Sequence, residues 1–337
     1  MKAAVFKEKG LLQVEEVPRP VLGVNDVLLQ ITHCAICGSD LHRYHYGMMS
    51  PGTIMGHEYS GRVVEVGSNV RNFQVGDRVA PSGGKVNPIK DIFHYPPRYS
   101  AKERGFMPGQ RSGAYAEFMA VDEDRLMKIP ETVSNLEACL LEPLTVSLHT
   151  VRLSSIKLGD RVLVIGAGPI GLLVMQCAAV AGAGDIFVSE TSLTRRKAAS
   201  LLGADMVIDP QQEKVMEQII RETKFGVDLA FECAGANATL QEALGSLRVA
   251  GKVVVVALAW EPVMCTPVDW VGREVEMKTS YGTLAGEWYV AMKLLEKGKI
   301  QVKPIISHLA PLEDIQDVFE RLLNPQTPWV QAVVTFE

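Results

Sequence analysis

A glycine-rich segment between a strand pattern and a helix pattern constrains the fold of this chain most strongly. The segment, GAGPIG at 166–171, follows the apolar run 161–165. It precedes a helical pattern that is predicted to place one set of apolar residues on a single face: Ile170, Val174, Cys177, Ala178 and Ala181. Further short apolar runs each follow a helical stretch, at 185–188, 205–208, 228–231 and 252–257. Strands that alternate with helices predict an α/β domain with a doubly wound parallel sheet.

The glycine pattern G-x-G-x-x-G has the context that a dinucleotide-binding turn requires, a strand before it and a helix after it. Gly166 would permit the tight turn, Gly168 the approach of a pyrophosphate, and Gly171 close packing of helix on strand. Pro169 suits the first helical position, where the free N–H groups of a helix attract phosphate. These four residues and Ile170 form the predicted pyrophosphate site of a Rossmann domain.

Glu190 follows the second strand pattern, about 20 residues after the glycines. A carboxylate there can bind both ribose hydroxyls and would repel a 2′-phosphate, which favours NAD over NADP. Arg195 and Arg196 are evidence for NADP instead, because a nearby arginine can accommodate its 2′-phosphate. They are equally consistent with a solvated helix face or with packing against adenine.

The residues before about 148 have a different pattern, with short β-type runs such as 27–31, 61–67 and 77–80 separated by glycine and proline. This pattern predicts an irregular, barrel-like β-domain. The final strand pattern, 331–336, is predicted to return to that domain and make it discontinuous. We therefore predict a first domain of 1–148 and 285–337, and a dinucleotide-binding domain of 149–284.

Residues that commonly bind metal ions fall into three clusters: CAICGSDLH at 34–42, MGHEY at 55–59 and LEPL at 141–144. Thiolate, imidazole and carboxylate donors together suit zinc. Three protein ligands that leave a fourth position open suit a catalytic zinc better than a structural one.

Five motifs occur in order along the chain: CGSDLH at 37–42, GHE at 56–58, GDRV at 76–79, EPL at 142–144 and GAGPIG at 166–171. With them the sequence resembles the zinc-dependent medium-chain dehydrogenase/reductase superfamily, on its polyol branch of sorbitol, butanediol and threonine dehydrogenase-like enzymes. The resemblance spans almost the whole chain. It implies a GroES-like β-rich catalytic domain beside the Rossmann domain. It also implies an oxidoreductase that transfers a hydride between a secondary alcohol or polyol and NAD(H), in a homodimer or homotetramer.

Carried over residue by residue, the resemblance makes Cys37 and His57 zinc ligands. The third ligand is either Glu58 or Glu142, and both alternatives stay open. Glu142 matches a position that binds zinc in some relatives and holds the zinc-bound water in others, and the two glutamates could exchange during turnover.

Two residues, Ser39 and His42, match positions linked to proton release in relatives. The neighbouring Cys34 is expected to be a packing residue. Four residues match positions that line the nicotinamide pocket, and each is equally consistent with ordinary core: Val146, Cys233, Leu258 and Thr283.

The stretch 83–107 departs from the pattern of many relatives, which carry four cysteines there for a structural zinc. No cysteine occurs in this stretch, and His94 alone cannot form a tetrahedral site. We therefore predict one catalytic zinc per subunit and no structural zinc. The aromatic run 92–99 is left without an assigned role.

The net charge of −5 argues against a nucleic-acid-binding surface, and no run of about 18 apolar residues or secretory leader is evident. We expect a cytoplasmic protein with a small-molecule substrate. One alternative is a zinc-free, NADPH-dependent quinone or enoyl-type reductase of the same superfamily, which would lack the Cys37, His57 and glutamate set. The other is a non-catalytic NAD-binding protein that retains the fold.

Overall fold

The structure is a computed structural model that describes residues 1–84, 113–259, 261–264 and 266–336. It divides into two compact units. The first comprises Met1–Thr145, Thr283–Gly298 and Ile306–Glu337, and the second comprises Val146–Gly282 and Lys299–Ile305.

The strands of the described residues are, in chain order, β1 (Lys2–Glu8), β2 (Leu11–Glu16), β3 (Asp26–Ala35), β4 (Glu58–Val66), β5 (Arg78–Pro81), β6 (Phe118–Asp122), β7 (Leu126–Lys128), β8 (Val162–Ile165), β9 (Ile186–Ser189), β10 (Met206–Ile208), β11 (Val227–Glu232), β12 (Leu247–Val255), β13 (Glu276–Thr279), β14 (Ile306–Pro311) and β15 (Gln331–Thr335). The α-helices of the same residues are α1 (Gly38–Tyr46), α2 (Asn135–Ala138), α3 (Leu141–Ser154), α4 (Pro169–Ala181), α5 (Leu193–Leu201), α6 (Val215–Thr223), α7 (Asn237–Ser246), α8 (Pro267–Val271), α9 (Ala285–Glu296) and α10 (Ile315–Leu323). Short 3₁₀ turns lie at Glu123–Arg125, Lys303–Ile305 and Leu312–Asp314.

The first unit is built mainly from β-structure. Strands β1 and β2 form an antiparallel pair, and a larger mixed sheet has the order β14-β15-β3-β4-β5-β7, with β6 also paired to β3. Its core buries large side chains from distant parts of the chain, including Phe6, Ile31 and Phe319. The central pair, β3 and β4, ends with Ala35 opposite Glu58. Two of the three segments that carry candidate metal ligands, those of Cys37 and of His57 and Glu58, therefore lie at one end of this pair.

The last strand of the chain, β15, lies antiparallel to β3, with Val333 opposite Ala35. The four buried residues of β15 include Val333 and Val334, which are fully buried. The end of β3 is thus held on both sides, by β4 and by β15. This support fixes the point from which the chain turns into α1.

The second unit contains the predicted parallel sheet, with the order β10-β9-β8-β11-β12-β13. All its pairs are parallel. Strand β8 is buried at all four positions, as expected of a strand covered by helices on both faces. The two-domain α/β fold class predicted from the sequence is confirmed.

The helix after the glycine-rich turn, α4, differs from the sequence interpretation. The spacing of Ile170, Val174, Cys177, Ala178 and Ala181 suggested one buried face. Instead the run from Gly171 to Ala178 is buried, whereas Ile170 is partly exposed and residues 179–181 are exposed. A helix that is apolar all round can be covered on every side along part of its length, so the period alone could not locate its buried part.

No helix within the described ranges is both long and apolar enough to cross a membrane. The aromatic run 92–99, His94 and Cys265 lie outside the described residues, as does most of the cysteine-free stretch 83–107.

Candidate metal centre and dinucleotide turn

Cys37 occupies the N-cap of α1, directly after the end of β3. Its backbone is extended (φ −75°, ψ 144°), and its Sγ accepts hydrogen bonds from the backbone N (3.4 Å) and the Oγ (3.2 Å) of Ser39. These donors and the helix N-terminus favour the thiolate. Burial and the charge of Glu58 act in the opposite direction and raise the pKa of Cys37 to about 11. Without a cation the thiol therefore keeps its proton at neutral pH, and a bound metal would supply the charge that ionisation needs.

His57 and Glu58 are placed by the start of β4. Gly56 precedes them with a positive φ of 96°, and a Cβ there would lie 2.9 Å from Tyr115 N and 3.0 Å from Cys34 Sγ. Glycine is required at this position because neither the conformation nor the space admits a side chain. The candidate donor atoms of Cys37, His57 and Glu58 all lie within 4.8 Å of one another.

Glu58 carries the observation that best tests whether a metal fits here. The residue is only 3% exposed, and within the described part of the chain its Oε2 is buried without a hydrogen-bond partner. Burial and the charge of Glu142 raise the pKa of Glu58 to about 8. Buried polar atoms are normally satisfied, so an unsatisfied carboxylate oxygen beside a cysteine and a histidine is what a metal ligand at this position would show. The donor set fits zinc.

Glu142 lies in the first turn of α3, outside the group of mutually close donors but near it. Burial raises its pKa, and the charge of His57 lowers it. Its own charge raises the pKa of Glu58, so the two carboxyl groups interact. Of the two glutamates left open by the sequence, the geometry brings Glu58 into the donor group and leaves Glu142 beside it.

The sequence interpretation missed the side chains that support His57. Asp40 is 1% exposed, its Oδ2 lies 3.4 Å from His57 Nδ1, and the same oxygen accepts a hydrogen bond from the Tyr115 hydroxyl at 3.0 Å. Burial opposes ionisation of Asp40, but His57 and Tyr115 outweigh it and hold the pKa of Asp40 below its usual value. Asp40 lies at Nδ1, which leaves Nε2 to bind a metal, and a carboxylate behind a histidine is a usual partner of a metal ligand. Asp40 belongs to the CGSDLH motif, so the signal for this residue was available in the sequence.

Ser39 and His42, both on α1, differ in their contacts with the candidate metal ligands. The Ser39 Oγ contacts Cys37 Sγ directly at 3.2 Å. His42 is partly buried one turn later, with its ring stacked on that of Tyr46 at a centroid distance of 6.2 Å, and burial lowers its pKa. Their roles in proton release stay a prediction.

In the glycine-rich turn of the second unit, a different structural feature explains the glycine at each of the three positions. Gly166 has a φ of 90°, and a Cβ on Gly171 would lie 1.8 Å from the Gly166 carbonyl oxygen. Gly168 is the N-cap of α4 and Pro169 its first residue, as predicted for this turn. A Cβ on Gly168 would meet nothing within 4 Å. Its missing side chain therefore has no internal steric reason, which leaves room for a ligand against the backbone.

Glu190 follows β9 and is 6% exposed. Its Oε2 accepts a hydrogen bond from Ala167 N at 2.7 Å, and its Oε1 accepts one from Ser192 N at 2.8 Å. The carboxylate thus joins the glycine-rich turn to the end of β9. It places a negative charge at the helix N-terminus where the predicted dinucleotide would bind.

Two family descriptions match the chain: "Alcohol dehydrogenase GroES-like domain" over residues 23–131 and "Zinc-binding dehydrogenase" over 169–297. It is 34% identical to (R,R)-butanediol dehydrogenase of Bacillus subtilis over 345 aligned positions, covering 97% of both chains. It is 34% identical to human sorbitol dehydrogenase over 323 positions, covering 92% of this chain and 89% of the other. The chain belongs to the zinc-dependent medium-chain dehydrogenase/reductase superfamily.

A zinc-binding dehydrogenase from Sinorhizobium meliloti 1021, solved bound to NADP, has a TM-score of 0.88 with this chain at 29% identity, covering 99% of each. The predicted family, its polyol branch and the oxidoreductase class are confirmed, and the cofactors of the family are zinc and a nicotinamide dinucleotide. Neither the zinc-free reductase nor the non-catalytic protein is favoured.

The four predicted pocket residues are not all in one unit. Val146 and Cys233 are partly exposed and Leu258 is 44% exposed, all three in the second unit. Thr283 belongs to the first unit, where its Oγ1 accepts a hydrogen bond from Trp288 Nε1 at 2.9 Å. Arg195 is partly buried on α5. The roles of all five stay predictions.

Proposed function

We propose that this chain is an NAD-dependent dehydrogenase of secondary alcohols or polyols whose zinc is held by Cys37, His57 and Glu58. The observation that carries the proposal is the convergence of these donor atoms within 4.8 Å, with a buried Glu58 oxygen that has no partner among the described residues. The interaction of Glu142 with Glu58 suits a residue that exchanges with it or holds a water.

The chain's own residues prepare the substrate hydroxyl for oxidation. Bound zinc supplies a Lewis acid that lowers the pKa of that hydroxyl. Asp40 would orient the ring of His57. The Ser39 Oγ would accept the substrate proton while it releases its own hydroxyl proton, which now points to Cys37 Sγ, to the next acceptor. His42 is that acceptor in this proposal, as its position in the motif implies.

The second unit would bind the dinucleotide and set its preference. Gly168 leaves its backbone open to a pyrophosphate, and Glu190 would accept hydrogen bonds from the adenosine ribose while repelling a 2′-phosphate. A bound nicotinamide would supply the acceptor for the hydride. We therefore expect NAD to be preferred over NADP.

The substrate class follows from the relatives. Butanediol and sorbitol dehydrogenases suggest vicinal diols and sugar polyols as the first compounds to test. We also propose one zinc per subunit, a cytoplasmic location and a homodimeric or homotetrameric assembly.

The test combines metal analysis with NAD-linked oxidation of a panel of secondary alcohols, diols, polyols and polyol phosphates. Purified protein should contain about one zinc per chain and reduce NAD with at least one class. Cys37→Ala should lose both zinc and activity, whereas Cys177→Ala, which changes a buried cysteine of α4, should keep both. Zinc-free protein that reduces quinones with NADPH would overturn the proposal.

A further inference from the structure

Arg196 is held by three acceptors at the end of β9, where the adenosine ribose is expected. Its Nη1 donates to the carbonyl oxygens of Glu190 (2.9 Å) and Thr191 (2.5 Å). Its Nη2 pairs with Asp209 Oδ2 at 2.8 Å. Both terminal nitrogens of the guanidinium are therefore engaged within the protein.

Asp209 is itself held in place. It directly follows β10, and its Oδ1 accepts a hydrogen bond from Gln211 N at 3.0 Å while Oδ2 faces Arg196. The side chains of Arg196 and Asp209 are only 18% and 19% exposed, whereas those of the pair Arg321 and Asp317 are about 60% exposed. A pair shielded from water interacts more strongly than one on the open surface. Asp209 thus neutralises Arg196 in a fixed geometry.

The position of Arg196 makes this pairing relevant to the cofactor. Its guanidinium contacts the main chain of Glu190, the residue expected to bind the ribose hydroxyls. An arginine near that ribose is the group that accommodates the 2′-phosphate of NADP. A relative with the same fold is known with NADP bound, so the fold itself does not exclude this cofactor. The preference between NAD and NADP should therefore depend on whether the Arg196 guanidinium is free to contact the 2′-phosphate.

We propose that Asp209 is a specificity-determining residue that favours NAD by neutralising Arg196 and holding it away from the 2′-phosphate position. This inference rests on the proposed dinucleotide site at Glu190. It assigns the preference to two separate causes, the repulsion by Glu190 and the withheld charge of Arg196.

The experiment measures the dissociation constants of NAD⁺ and NADP⁺ by calorimetry with the full-length, zinc-loaded protein at one ionic strength. In Asp209→Asn the amide can keep the bond from Gln211 N but turns an NH₂ toward Arg196 Nη2, which releases the arginine. We expect the affinity for NADP⁺ relative to NAD⁺ to rise about fivefold, the effect of one charge near the surface. Glu213→Gln, which removes an exposed charge four residues further along the chain, should leave the ratio unchanged.

The double variant Asp209→Asn/Arg196→Gln separates the proposed cause from simple loss of a negative charge. Its ratio should equal that of Arg196→Gln alone. A ratio that does not rise in Asp209→Asn, or a rise that persists in the double variant, overturns the role of Asp209.

Arg196→Gln keeps the proposal testable if Asp209→Asn does not fold. Its NADP⁺ affinity should stay within about twofold of the wild type, because a neutralised arginine does not meet the phosphate. A loss of about fivefold or more contradicts the proposal. The wild-type ratio tests the proposed NAD preference separately, since the role of Asp209 is judged only by changes relative to that ratio.

Discussion

Asp40 and Tyr115 extend the candidate metal centre beyond its donor atoms. The Tyr115 hydroxyl donates to Asp40 Oδ2 and lies 3.3 Å from the carbonyl oxygen of Ala35, the last residue of β3. Asp40 in turn lies at Nδ1 of His57. The orientation of one ligand therefore depends on a chain of buried contacts that ends in the central sheet.

Replacing Asp40 tests this support at the metal. We expect Asp40→Asn to weaken zinc binding about 10-fold to 100-fold, the usual effect of removing a carboxylate behind a histidine ligand. Zinc affinity measured by competition with a chelator checks this, with Asp317→Asn, which changes an exposed residue of α10, as the control. An unchanged affinity in Asp40→Asn would show that His57 is oriented by other contacts.

Replacing Tyr115 tests the same support through stability. Tyr115→Phe removes the donor to a buried carboxylate, and such charge-assisted hydrogen bonds contribute about 1.5–3 kcal/mol. Tyr289→Phe is the control, because Tyr289 is 54% exposed and such surface changes usually alter stability by less than about 0.5 kcal/mol. Denaturant unfolding should show the larger loss for Tyr115→Phe. Equal losses would mean that the hydrogen bond from Tyr115 to Asp40 contributes no measurable stability.

How much of this centre could be predicted from the sequence depends on how many residues separate its members along the chain. Cys37, His57 and Glu58 belong to local motifs, and their residue types alone suggest a metal. Tyr115 is 75 residues from Asp40 in sequence, so its contact exists only because the sheet brings the two segments together. A single sequence carries no signal of such a contact, and the same limit left the choice between Glu58 and Glu142 open.

At the scale of elements, the turn from β8 into α4 shows which parts of a fold are locally determined. Its glycines, the proline at the first helical position and the flanking patterns were all read from adjacent residues. The burial of α4 on every side from Gly171 to Ala178 was not, because it depends on what packs around the helix rather than on its period. Local chemistry predicted the turn, whereas tertiary packing decided the environment of the helix.

Two glycine substitutions in this turn should have opposite effects. Gly168→Ala adds a methyl group in open space at φ −67°, so we expect unchanged thermal stability but NAD⁺ binding weakened about tenfold or more, since the methyl would meet the pyrophosphate. Gly171→Ala places a methyl group 1.8 Å from the Gly166 carbonyl oxygen and should destabilise the fold by about 1–3 kcal/mol or more. Thermal unfolding and calorimetry separate the two. If Gly168→Ala binds NAD⁺ normally, the pyrophosphate does not approach this residue.

At the scale of the whole molecule, the two kinds of site lie in different units. Cys37, His57 and Glu58 belong to the first unit, and the glycine-rich turn and Glu190 belong to the second. The first unit brings a cysteine, a histidine and two glutamates together, and burial raises the pKa values of the Cys37 thiol and of both carboxyl groups, which a bound cation would lower. In the second unit, backbone donors satisfy the buried carboxylate of Glu190. We therefore expect a bound metal to stabilise the first unit.

Removal of zinc should affect the two units differently. Because a metal that binds only the folded state stabilises it, we expect chelation to lower the melting temperature of the protein. The metal-free protein should still bind NAD⁺ with an affinity within about threefold of the zinc-loaded protein at a temperature below the transition, since no dinucleotide residue is a metal donor. Differential scanning calorimetry and NAD⁺ titration of the same samples measure both quantities, and restored zinc should return the original melting temperature. If NAD⁺ binding disappears together with the metal, the integrity of the second unit depends on the metal centre.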